Sequence, residues 1–113
     1  MANKYRNEKV VKLGEVEILL RPTFENCANL ESSLGYGLPM MAFKLAKQQL
    51  PSMTDSAKVI FFCQAEKKFT MEEIWDLLMI EGSSVMKDLL VFVGGITAGD
   101  KTTQELSENQ KKS

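Results

Sequence analysis

Apolar residues recur at every second position in Val11 and Leu13 and again in Val16 and Ile18, and wider spacings follow, which marks a change from strand to helix. Val11, Leu13, Val16 and Ile18 fall on one face of a ribbon that reverses at Gly14-Glu15. Glycine at the first central position suits a two-residue type II′ turn, whose twist matches that of paired strands. Such a turn sets the register: Leu13 faces Val16, Val11 faces Ile18, and Lys12 meets Glu17 on the opposite face as an ion pair. A hairpin is therefore predicted over residues 9–21. Pro22 ends it, because proline has no N–H to give to a ladder.

Helical spacing begins after Pro22. Thr23 can cap a helix over residues 24–34, with Glu25 well placed for its dipole and Gly35 able to take the left-handed conformation that stops it. Phe24, Cys27, Ala28, Leu30 and Leu34 form its apolar stripe, while Glu25, Asn26, Asn29 and Ser33 form the side expected to face water. Pro39 suits the first turn of a second helix, over residues 39–50, with Pro51 as its stop. Met41, Ala42, Leu45 and Ala46 would line its inside, and Lys44, Lys47 and Gln48 its outside. The glycines and proline between these helices read as a turn. They lack the Lys-Ser/Thr that a phosphate-binding loop requires.

Ser52 to Asp55 supply two cap candidates for a segment over residues 54–66. Its five consecutive apolar residues, Val59 to Cys63, also fit a buried strand, which periodicity does not separate from a helix. The upstream cap, the helix formers Ala57, Lys58, Gln64, Ala65 and Glu66, and the lack of a partner strand beyond the hairpin favour helix. Phe69-Thr70-Met71-Glu72-Glu73-Ile74 is a capping box with a hydrophobic staple and predicts a helix over residues 71–81. On a helical wheel its apolar residues spread over roughly 200°, wider than one packing face needs. Ser83 or Ser84 would cap a last helix over residues 84–96, again apolar on more than one face. The expected fold is α+β and mostly α: an N-terminal hairpin and about five short helices in one domain over residues 9–96. A polar lead-in over residues 1–8, anchored by Tyr5, precedes it, and a polar, flexible tail over residues 97–113 follows.

Composition narrows what such a domain does. At 113 residues with 44% hydrophobic and 26% charged residues, one core is affordable and two are not. A formal net charge of -1 argues against nucleic acid as a partner. No apolar run is long enough to cross a bilayer, and the start MANKYRNEK has no signal-peptide core, so a cytoplasmic location is expected. Histidine is absent, which removes the commonest general base and metal ligand together. Cys27 and Cys63 read as small buried hydrophobes, although a disulfide between them is open. No nucleophile with its base, no metal cluster and no facing carboxylates assemble, so no catalytic, cofactor, metal or small-molecule site is expected. Seven methionines and one tryptophan turn attention to protein contacts. Thioethers repack against irregular partners, and Trp is enriched where interfaces concentrate energy. Met40, Met41, Trp75, Met79, Met86 and Phe92 are the candidates for an adaptable contact surface, with ordinary core as the competing assignment.

The lead NKYRNE, the hairpin running into LGEVEILLRPTFE, then LESSLG and FTMEEIWDLLMIEG together resemble a family of small tail-morphogenesis proteins. That family is the gene-transfer-agent type of phage tail assembly chaperone, and the similarity covers roughly residues 3 to 96. The resemblance implies a non-enzymatic assembly factor in the host cytoplasm that binds the tape-measure protein, or another tail protein, and keeps it soluble during tail assembly. It also implies that a longer form made by ribosomal frameshifting could extend the polar tail. A structural tail component, such as a tube or connector subunit retained in the particle, is the alternative. Either role allows contact with another copy of the chain.

Overall fold

The computed structural model describes residues 7–82 and 85–98. An antiparallel hairpin, β1 (Lys9–Leu13) and β2 (Val16–Leu20), leads into α1 (Phe24–Leu34), α2 (Leu38–Ala46), α3 (Met53–Cys63), α4 (Met71–Glu81) and α5 (Val85–Ala98). This is the expected hairpin followed by five helices. Tyr5 and the first six residues, the Ser83 and Ser84 caps, and the tail from residue 99 lie outside the described residues.

The hairpin has the predicted register, with Leu13 opposite Val16, Val11 opposite Ile18 and Lys12 opposite Glu17. Gly14 carries the turn at φ 66°, a conformation that costs glycine nothing. Lys12 Nζ lies 3.8 Å from Glu17 Oε2 on the solvent side. On the other side Val11, Leu13, Ile18 and Leu20 are buried. Helix α5 lies against β1 and α2, α4 lies against α3 and β1, and α1 lies against α3. The core is therefore shared between the inner face of the hairpin and helix residues such as Leu30, Met41, Ile60, Ile74, Leu89 and Phe92.

Local signals place most of the helix boundaries. Thr23 Oγ1 accepts from the Asn26 N–H at 3.1 Å, and Gly35 ends α1 at φ 83°. Ser52 is the cap used for α3, its Oγ accepting from the Asp55 N–H at 3.0 Å. Thr70 and Glu73 form the reciprocal box at the start of α4, at 3.1 Å and 2.8 Å.

Tertiary contacts correct the reading at four places. The second helix stops at Ala46 instead of residue 50. Gln48 turns left-handed at φ 64° and the Gln49 N–H donates back to the Lys44 carbonyl, while Leu50 finds no core to join and stays exposed. The third helix stops at Cys63, short of residue 66, because the next residues do have a strand to pair with. The Arg21 N–H donates to the Cys63 carbonyl at 2.7 Å and the Ala65 N–H to the Leu19 carbonyl at 2.8 Å, so Gln64 bridges to Leu20 on the free edge of β2. The last helix runs past residue 96 to Ala98, which takes the first two residues of the expected tail into the domain.

The fourth correction concerns α1, which is rotated from its expected setting. Asn26 is buried and Phe24 is 89% exposed. The Asn26 Nδ2 donates to the Arg21 carbonyl at 2.8 Å and its Oδ1 accepts from Lys67 Nζ at 2.9 Å, so the amide is satisfied inside. Phe24, at the first position of the helix, extends past the edge of the core.

Candidate interaction surface

The capping box fixes where α4 begins, and packing against α3 and β1 sets which of its residues face inward. Ile74 and Leu78 are buried one turn apart, and Met71, Trp75 and Leu77 flank them, partly covered. Beyond that flank Met79 is 63% exposed and Ile80 is 76% exposed. In α5, Val85, Leu89, Phe92 and Val93 are buried, while Leu90 and Val91 are exposed. Both helices thus carry more apolar surface than the core takes up. Single exposed aliphatic residues are ordinary on a protein surface, whereas here two neighbours are exposed on each of two helices.

The six candidate contact residues separate by burial. Met40 and Met79 are exposed, and Trp75 and Met86 are half-covered at the edge of the core. Met41, at 2% exposure, and Phe92, at 1%, are core residues and offer no surface to a partner. The reason is geometric. Met41 sits in line with Leu38 and Leu45 on the buried side of α2, and Phe92 continues the Val85 and Leu89 row of α5. Choosing by residue type missed Ile80, Val91 and Phe43, all exposed. Ile80 stands two positions after buried Leu78, nearly opposite it on the wheel, and that spacing could have identified it.

Two concavities open elsewhere on the molecule, neither lined by Met79, Ile80, Leu90 or Val91. One, of about 220 Å³, lies along β2 and is lined by residues including Glu17, Leu19, Ala65, Lys68 and Phe69. The other, of about 550 Å³, is lined by Thr54 of α3 and by Met71, Glu72, Trp75 and Asp76 of α4. Among the described residues no three His, Cys, Asp or Glu side chains are placed to hold a metal ion, and no helix is long and apolar enough to cross a membrane.

The ionisable groups with shifted values lie in packing contacts between elements. The Tyr36 hydroxyl donates to Asp55 Oδ2 at 2.8 Å. Burial, then that hydrogen bond and the Asp55 charge, push the phenol up to about 12. Cys27 and Cys63 are both free thiols joined by a hydrogen bond. The bond from Cys63 holds the Cys27 thiol below its ordinary value, while the same bond and burial push Cys63 up. Compared with protein-family models, curated proteins and solved structures, the chain matches none.

Proposed function

We propose that this protein is a non-enzymatic phage or prophage tail assembly chaperone, acting in the host cytoplasm by covering apolar stripes of a long helical client such as a tape-measure protein. The observation that carries the reading is the exposed apolar residues of α4 and α5: Met79, Ile80, Leu90 and Val91 stand outside a core that is already complete without them. A largely helical client self-associates unless its apolar stripes are covered, and an amphipathic surface on a small carrier covers them through helix-to-helix contacts. Methionine at Met79 and Met40 adds a contact that reshapes to successive segments of such a client. The resemblance of the hairpin and of the FTMEEIWDLLMIEG helix to tail assembly chaperones points the same way.

A structural tail component is the second reading, and one observation favours it. Residues 63–65 pair with only the far end of β2, so among the described residues the Leu19 N–H and the Glu17 backbone have no hydrogen-bond partner on that edge. An open edge of this kind accepts a strand from a neighbouring subunit. Affinity capture of the tagged chain from cells making the particles, with mass spectrometry of the purified particles, separates the two. The chaperone reading expects a tape-measure protein bound to the chain and no chain in the particle. A stoichiometric copy number in the particle, with no captured client, overturns it in favour of the structural component.

A further inference from the structure

The groove beside Trp75 carries a charge pattern that the fold does not use. Glu72 and Asp76 stand one turn apart on α4, both exposed, and line the groove together with Trp75. Like charges at this spacing disfavour the helix. The ion pairs among the described residues join Lys9 to Asp88, Lys12 to Glu17 and Arg21 to Glu8, so neither groove carboxylate is neutralised. An apolar floor of Trp75 and Met71 under an acidic rim fits a helix face that alternates aliphatic or aromatic side chains with lysines.

The chain itself presents such a face. On the outer side of α2, Met40 and Phe43 are exposed, and Lys44 and Lys47 stand beside them without a carboxylate partner among the described residues. Each ammonium is held over a ring, Lys44 at 5.1 Å from the Tyr36 centroid and Lys47 at 4.6 Å from that of Phe43. Helix α2 packs on α5, and no α2 residue lines the Trp75 groove, so the two faces do not satisfy each other within one molecule.

We propose that a second copy of this chain seats the Met40, Phe43, Lys44 and Lys47 face of its α2 in the Trp75 groove of α4. The two patches differ, so the contact is head-to-tail and builds rings or short open chains rather than a two-fold dimer. The contact uses residues other than Met79, Ile80, Leu90 and Val91, on which the proposed client binding rests, and shares Met40 alone with it.

Trp75 is the single tryptophan of the chain, so its emission reads the groove directly. Sedimentation and fluorescence of the full chain across protein concentration should show mass rising above monomer together with a blue shift of Trp75, both receding as salt is added. The double reversals Glu72→Lys with Asp76→Lys, and Lys44→Glu with Lys47→Glu, should each weaken association by about tenfold or more. Mixing the two variants should restore it, because each supplies the face that the other has reversed. Wild-type chain that stays monomeric, association that leaves Trp75 emission unchanged, or a mixture of folded variants that fails to re-associate overturns the proposal. The milder pair Glu72→Gln with Asp76→Asn repeats the test if a reversal disturbs folding, and association unaffected by it also counts against the groove. Client capture by a chain that never self-associates overturns this contact and leaves the chaperone reading intact.

Discussion

Two stretches on either side of the Thr70 cap treat their side chains in opposite ways. In the junction from Cys63 to Phe69, Gln64 is 1% exposed, and its amide donates to the carbonyls of Phe61 and Phe69 at 3.1 Å and 2.9 Å while accepting from the Phe69 N–H at 3.0 Å. A polar side chain is buried there and its hydrogen bonds are made. On α4 and α5, by contrast, the apolar side chains of Met79, Ile80, Leu90 and Val91 are exposed. The contrast separates stability from association. The junction pairs with the far end of β2 and links α3 to α4, so changes there act on folding, whereas changes on the outer side act on what the protein touches.

Breaking the enclosed side should give the largest effects. Phe92→Ala empties a site enclosed by the hairpin and helices and is expected to cost about 3–5 kcal/mol, measured by urea unfolding followed by circular dichroism. A loss under about 1 kcal/mol would mean that α5 is not integral to the core. Gln64→Ala leaves the Phe69 N–H and carbonyl without their partner and should cost about 1–3 kcal/mol in the same assay. Near-neutral behaviour would show that the junction is held by the Leu20 bridge alone.

Tyr36 sharpens the comparison through pH. Its folded value, near 12, stands above the ordinary value of about 10. A raised value favours the protonated folded form, so its contribution is full below about pH 10 and is lost as pH rises towards 12. Thermal unfolding of the wild type should therefore lose stability across that window more steeply than Tyr36→Phe, and parallel curves would contradict the assignment. The smallest effect on folding belongs to the outer side. Ile80→Ser with Val91→Ser should shift unfolding by no more than about 0.5 kcal/mol for each substitution while weakening capture of the client. Loss of folding instead would mean that these residues complete the core.

Capping and turn signals were legible in the chain because each is closed by groups within about four residues of one another. Gly14-Glu15 set the hairpin register, Thr23 and Gly35 bounded α1, and Thr70 with Glu73 placed the start of α4. The exposed apolar surface was legible only in part: of the candidate contact residues Met40 and Met79 are exposed, whereas Met41 and Phe92 lie inside. Residue type is the same for Met40 and Met41, and a rotation of one position on α2 decides which meets the core. Where α3 stops was likewise beyond local reading, because the strand that captures Gln64 lies more than forty residues earlier in the chain.

The sequence by itself determined the order of elements, the turn of the hairpin and the apolar excess of the last two helices, since periodicity and short-range hydrogen bonds are properties of neighbours. Only the tertiary structure decided that Asn26 is enclosed and Phe24 is not, that β2 gains a second, short partner, and which edge of each helix is left over. Burial is a competition among distant apolar surfaces for one small interior. Its outcome depends on how helices rotate against the hairpin, and no single segment records that rotation.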